Sequence, residues 1–113
     1  MTDESHQNVI DHVAALIKKV TSEVSERLQW TVFEPNDEPC WSRVRQDAGD
    51  VLMQFFERGE LVGNTPREAF FVKCDRTTMS QGDIDAGRLT CLIGVAPLRP
   101  SEFDIVRIEC STA

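Results

Sequence analysis

The sequence lacks both the long apolar segment of a membrane protein and the basic start of a secreted precursor. No run of apolar residues approaches the roughly 18 that a spanning helix requires. The first five residues, Met-Thr-Asp-Glu-Ser, carry acid where a signal peptide carries lysine or arginine followed by an apolar stretch. We therefore expect no membrane span and no export by that route.

Basic residues are scarce relative to acidic ones. The chain has 12 lysines and arginines against 19 aspartates and glutamates, which gives a formal net charge of −7. Nucleic acids and anionic lipids are recognised by clustered lysine and arginine, so this balance argues against partners of those classes. A basic or neutral protein partner fits the charge better.

The four cysteines show no metal-binding pattern. Cys40, Cys74, Cys91 and Cys110 form no C-x-x-C pair and no tight cluster with histidine, whereas zinc ligands come in closer pairs. Each lies in an apolar stretch, where cysteine usually acts as a small buried hydrophobe. This predicts reduced, structural thiols in a cytoplasmic setting, with a disulfide as the alternative.

Motifs of catalysis and cofactor binding are missing too. The two histidines, His6 and His12, fall on different sides of a helix and are expected at the surface. Asp83-Ile-Asp resembles the start of a calcium loop, but Gly87 stands at the fifth position, which normally supplies an oxygen ligand. Neither glycine-rich phosphate motif occurs. We expect no metal, no cofactor and no enzymatic activity.

Length and composition predict a single soluble domain over residues 1–113. A chain of 113 residues is too short for two typical domains, and its 41% hydrophobic and 27% charged residues are close to globular averages. Apolar residues recur every three or four positions over 8–28 and 38–58, which predicts two main helices. Cap residues predict short helical turns near 65–68 and 80–87.

Four segments rich in β-branched and aromatic residues predict strands, at residues 30–34, 69–74, 88–96 and 103–110. The second is apolar on both faces apart from one lysine, so it is expected at the centre of the sheet. The last two are expected to pair as a hairpin, and the first two to be parallel through a crossover helix. The predicted fold is α+β (mixed α/β), with one mixed four-stranded sheet and two main helices packed on it.

Two tryptophans bracket the junction between the first predicted strand and the second helix. For Trp30 and Trp41, core packing and a role as interface anchors are both open. Three acids, Glu34, Asp37 and Glu38, crowd the same junction. Helix capping and the helix dipole explain them without catalytic chemistry.

Several long phrases of the sequence resemble one known family. They are WTVFEPNDEPCW at residues 30–41, EAFFVKCDRTTM at 68–79 and GVAPLRPSEF at 94–103, with GDIDAGRL at 82–89 between the last two. In order and spacing they resemble the tail sheath family of contractile phages and related injection machines. The resemblance covers about residues 28–110 and concerns the carboxy-terminal, tube-proximal module of those proteins.

This resemblance implies a structural role. Family members stack in rings around an inner tube, hold one another by strands donated between subunits, and slide into a shorter, wider sheath that drives the tube through a membrane. It implies a sheath-like subunit of a virion or phage-tail-like particle, assembled in the bacterial cytoplasm. The implied partners are other sheath-like subunits and an inner tube protein, in a homo-oligomer or a larger particle.

Family members usually carry a long segment before this module and often an arm after it. Here only a few residues precede the first predicted helix and follow the last predicted strand. We therefore expect both linking arms to be short or missing. An alternative function is thus an adaptor or cap that mimics one sheath module and binds a sheath end, the tube or another particle component without polymerising.

Four charged residues complete the candidate partner contacts, beside the two tryptophans. Asp83 and Asp85 are expected to meet a basic face of the tube, because the chain is acidic and a short helix ends there. Arg107 and Glu109 share one face of the last predicted strand. That face is expected to be solvated or held by a partner.

Overall fold

The computed structural model describes residues 2–113, with side chains from residue 6 onward. Both predicted main helices are present, and the first begins earlier than expected. In chain order the elements are α1 (Thr2–Arg27), a 3₁₀ helix (Gln29–Phe33), α2 (Glu38–Glu57), α3 (Pro66–Ala69), β1 (Phe70–Lys73), α4 (Gln81–Asp85), β2 (Arg88–Val95) and β3 (Asp104–Ser111).

The three strands form one antiparallel sheet in the order β1-β2-β3. β1 pairs with β2 from Phe70 opposite Val95 to Lys73 opposite Leu92. β2 and β3 pair over their full length as the expected hairpin. The class is α+β, but the predicted mixed four-stranded sheet is wrong. In the described part of the chain the sheet has three strands, and no pair is parallel.

The segment predicted as the first strand winds into the 3₁₀ helix instead. The Leu28 carbonyl accepts from the Thr31 N–H at 3.2 Å, and the Thr31 carbonyl accepts from Glu34 at 3.0 Å. The buried Thr31 hydroxyl donates to the Ser111 carbonyl at 2.9 Å, and the Ala113 N–H donates to Glu34 at 2.9 Å. Tight local bonds and one side-chain bond to β3 thus replace a strand ladder here.

β1 lies at an edge of the sheet, so its predicted central position is also wrong. Its residues are apolar on both faces for a different reason. Phe70 and Val72 pack against the core, whereas Phe71 points to the other face and contacts Gly94. The Phe71 ring also meets Phe103 edge to face, with centroids 5.1 Å apart. β1 is therefore apolar because side chains pack on both of its faces, although within the described chain it has a neighbouring strand on one side only.

The hydrophobic core lies between one face of the sheet and the two long helices. α1 contributes every third or fourth residue of its second half, α2 contributes its apolar face, and the strands contribute alternate residues. The largest fully buried side chains include Phe55, Leu52, Leu28, Leu89 and Ile93. Among the described residues, no helix is both long enough and apolar enough to cross a membrane.

Local caps set the helix starts that the sequence predicts. The Asp37 carboxylate accepts from the Cys40 N–H at 3.4 Å and begins α2. Ser80 and Asp83 cap α4 reciprocally: each side chain accepts from the other residue's N–H, at 3.0 and 3.1 Å. These bonds satisfy N–H groups that have no partner within the helix.

Candidate functional site

β3 forms one edge of the sheet, and part of its backbone faces no other strand. Just beyond β3, the Thr112 N–H donates to the Gly87 carbonyl at 2.9 Å. The alternation of an antiparallel ladder then turns the N–H and C=O groups of Ile105, Arg107 and Glu109 away from β2. None of these groups has a backbone partner among the described residues. This edge can therefore accept another strand.

An apolar groove, here called the edge groove, runs beside the end of β3. It has a volume of about 520 Å³ and lies between Leu28, the 3₁₀-helix residues Val32 and Phe33, and Glu109 of β3. Phe33 is 81% exposed and Val32 48% exposed, although both are large apolar side chains. Ile105 is 59% exposed at the other end of the strand. At the groove end of β3, open backbone therefore lies beside the exposed side chains of Val32 and Phe33.

The charged side chains along this edge, Arg107 and Glu109, form an exposed ion pair with each other. Arg107 Nε lies 3.0 Å from Glu109 Oε1, and both side chains are more than 60% exposed. Exposed ion pairs contribute little to stability, because water and salt screen them. Either side chain can be replaced, or turned toward a partner, at small cost to the fold.

Neither tryptophan lines the edge groove. The Trp41 side chain is buried, and its Nε1 donates to Asn36 Oδ1 at 2.7 Å. Trp30 is half-buried, donates to Asp47 Oδ2 at 2.9 Å, and lies under the Arg43 guanidinium at 3.9 Å from the ring centroid. Both indole N–H groups are therefore satisfied within the fold. A partner role for either tryptophan stays a prediction.

Asp83, Arg107 and Glu109 line one cleft of about 240 Å³ on the outer face of the sheet. Hydrogen bonds from the Ser80 N–H and hydroxyl, with the Arg88 guanidinium beside them, hold the pKa of Asp83 below its usual value. Asp83 is thus occupied as a cap and an ion-pair partner.

Asp85, at the end of α4, is exposed, and among the described side chains it accepts a hydrogen bond only from Gln81, at 2.9 Å. Its carboxylate is therefore freer than that of Asp83 to meet a partner. No group of three or more metal-ligating side chains comes together within the described residues.

Sequence reasoning missed Val32 and Phe33 as surface residues. They belong to a segment whose composition is typical of a strand, and a strand would have alternated them between core and surface. One signal was available: Val32 and Phe33 are adjacent apolar residues, so a strand with a single face on the core would have buried only one of them. The pair Arg107 and Glu109 did mark the exposed face of β3, as their alternation indicated.

No family model matches the chain, and no curated protein matches it. Solved structures of contractile particles do match. A chain of the cryo-EM structure of the anti-feeding prophage (AFP) baseplate has a TM-score of 0.67 and 35% identity, over 78% of this chain and 25% of that one. A chain of the AFP helical sheath in the contracted state has a TM-score of 0.58 and 37% identity, over 74% of this chain and 24% of that one.

A third match is to an extracellular contractile injection system, the PVC sheath complex in the contracted state. Its TM-score is 0.54 at 39% identity, over 65% of this chain and 21% of that one. This protein therefore spans about a quarter of the length of the chains it matches. All three are parts of assembled structural particles. By sequence and by fold, this chain is related to part of the sheath proteins of contractile injection systems.

Proposed function

We propose that this protein is a structural subunit of a contractile injection particle, in which residues 1–113 form one sheath-like module. The observation that carries the proposal is the open edge of β3, with the edge groove beside it. We propose that a neighbouring sheath-like subunit adds a strand there. Strand addition supplies affinity through backbone hydrogen bonds and specificity through alternate side chains.

The geometry supports this form of contact. An added strand would run about 4.8 Å from β3 and pair with the outward groups of Ile105, Arg107 and Glu109. Side chains of that strand would cover Val32 and Phe33, which are exposed in the single chain. Removing these apolar side chains from water favours association.

We further propose that the module packs beside an inner tube, in a phage-tail-like particle assembled in the bacterial cytoplasm. The net charge of −7 favours a basic tube face and opposes nucleic acid or membrane contact. Asp85 is the clearest candidate for that contact, because it is exposed and is not needed for a cap. The proposal assigns no catalytic step to any residue.

A proline scan of β3 tests the strand addition. The N–H of Arg107 points outward, so Arg107→Pro removes a donor needed by an added strand and keeps the ladder to β2. Arg107→Ala is the matched control, because it removes the same charge and keeps the N–H. Ile108→Pro, which removes a ladder bond, should instead unfold the protein.

Assembly is measured by electron microscopy and sedimentation of the full chain, alone and with its sheath and tube partners. Backbone hydrogen exchange at 105, 107 and 109 is followed in parallel. We expect Arg107→Ala to assemble, Arg107→Pro to fold without assembling, and the three amides to become protected on assembly. Assembly of Arg107→Pro, or unprotected amides in the assembled state, would refute strand addition. Binding at particle ends without any polymer would favour an adaptor or cap.

A further inference from the structure

Two buried cysteines face each other across the sheet. The register of β1 and β2 places Lys73 opposite Leu92, and one step further along it places Cys74 opposite Cys91. Both side chains point into the core, and both are fully buried. Cys110, on β3, lies opposite Leu89, and Cys40 lies on α2. Both thiols are near enough to Cys74 to interact with its charge, but neither faces it in the register of β1 and β2.

The backbone spacing at this position suits a disulfide. The Ala96 N–H donates to the Ala69 carbonyl at 2.9 Å, which marks that pair as hydrogen-bonded. By alternation, Cys74 and Cys91 form a non-hydrogen-bonded pair, in which the Cα atoms lie about 4.5 Å apart. Disulfides occur at Cα separations of about 4.4–6.8 Å. The two cysteines can therefore be joined with little movement of the backbone.

We infer that Cys74 and Cys91 are a thiol pair that closes into a cross-strand disulfide by exchange with a small-molecule disulfide such as oxidised glutathione. The bond would tie the edge strand β1 to β2 and close the loop that carries α4. This inference does not depend on the proposed function.

The exchange is balanced. Cys74 as thiolate attacks one sulfur of the small disulfide, which forms a mixed disulfide and releases one small thiol. Cys91 then attacks the Cys74 sulfur of the mixed disulfide, forms the Cys74–Cys91 bond and releases the second small thiol. The protein loses two electrons and two protons, and both released thiols carry them.

Burial of both thiols in the folded chain should slow this reaction. A hydrogen bond that the Cys74 thiol donates to Cys91, together with burial, raises the pKa of Cys74, so its reactive thiolate is rare. Reagent must also pass the turn that follows β1. The Thr78 hydroxyl holds that turn, because it lies 2.8 Å from both the Asp75 and the Thr90 carbonyls. Opening of the turn should therefore limit the rate.

Peptide mapping tests the pair. The reduced full chain is incubated with oxidised glutathione, free thiols are alkylated, and tryptic peptides are identified by mass spectrometry. Trypsin cuts after Lys73, Arg76 and Arg88, so Cys74 and Cys91 fall in different peptides, apart from those of Cys40 and Cys110. We expect one dominant linked peptide, Cys74 to Cys91. Its formation should raise the melting temperature by several degrees, and dithiothreitol should reverse the rise.

Variants separate this pair from chance oxidation. Cys40→Ser and Cys110→Ser should still form the link, whereas Cys74→Ser and Cys91→Ser should not. Thr78→Val loses the hydroxyl at constant shape and should speed oxidation about fivefold or more. A dominant link that involves Cys40 or Cys110 would overturn the inference. Four free thiols after long exposure, in both wild type and Thr78→Val, would also overturn it.

Discussion

Replacing Gly94 by alanine tests how the outer face of the sheet is packed. Gly94 is the next-to-last residue of β2, and the Phe71 ring rests directly on it from β1. A Cβ at this position would come within 2.6 Å of Phe71 Cζ and closer still to two other ring carbons. Real Cβ atoms do not approach so closely, so the ring must move. Its edge-to-face contact with Phe103 would then be lost.

The expected cost follows from these contacts. Overpacking costs about 1–3 kcal/mol, with the lower part of that range apt here because a ring can swing outward. Loss of the aromatic pair adds about 0.5–1.5 kcal/mol. Replacing a strand glycine by alanine raises the free energy of unfolding by about 0.5–1 kcal/mol, because alanine has less conformational freedom in the unfolded chain. We expect Gly94→Ala to lower the free energy of unfolding by about 1–3 kcal/mol.

Urea denaturation of a double-mutant cycle measures this effect. With Phe71→Ala in place the clash is gone, so Gly94→Ala should become stabilising by about 0.5 kcal/mol. Gly49→Ala on α2 is a control, because a Cβ there meets nothing within 4 Å and should stabilise the helix by about 1 kcal/mol. A neutral or stabilising Gly94→Ala in the wild-type background, or the same effect in both backgrounds, would refute the packing argument.

Two further predictions concern charge. Burial raises the pKa of the Cys40 thiol to about 11, so the folded chain keeps a proton that the unfolded chain releases near pH 8.5. The contribution of Cys40 to the free energy of unfolding should be constant below that pH and fall by about 2–3 kcal/mol toward pH 11. Cys40→Ala should therefore lose less stability over this range than the wild type, and an equal fall would rule out this thiol as a source. For the proposed tube contact, Asp85→Lys should weaken tube binding about five- to tenfold and reduce its salt dependence, whereas Glu57→Lys, the same charge change on α2, should not. Equal effects of the two lysines would indicate net charge alone.

The parts of the fold that depend on nearby residues could be predicted from the sequence. The two long helices follow from apolar spacing, and the starts of α2 and α4 follow from the caps Asp37 and Ser80. The hairpin of β2 and β3 follows from two alternating segments joined by a short turn. Each of these signals operates over a few residues. No knowledge of the distant chain was needed for them.

The parts that depend on distant residues could not be predicted. Thr31 is compatible with a strand by composition, but its hydroxyl bonds to Ser111, 80 positions away. That contact and the bonds from Leu28 favour the tighter winding. The predicted central position of β1 was wrong for a similar reason. The outer face of β1 is apolar because Phe71 packs on Gly94, and the sequence alone could not distinguish this packing from a position in the middle of the sheet. Tertiary contacts override local propensity at both places.

The wrong strand and the candidate site have one physical cause. If residues 30–34 had extended along β3, they would have covered its outer edge and closed the sheet at four strands. Wound as a 3₁₀ helix, the segment reaches only the end of that edge, through Ser111 and Ala113. The backbone of Ile105, Arg107 and Glu109 is left open, and Val32 and Phe33 are turned outward beside it. Under the proposed function, another subunit supplies the fourth strand. The 3₁₀ winding of residues 30–34, which made the strand prediction wrong, is thus also what leaves β3 open for assembly.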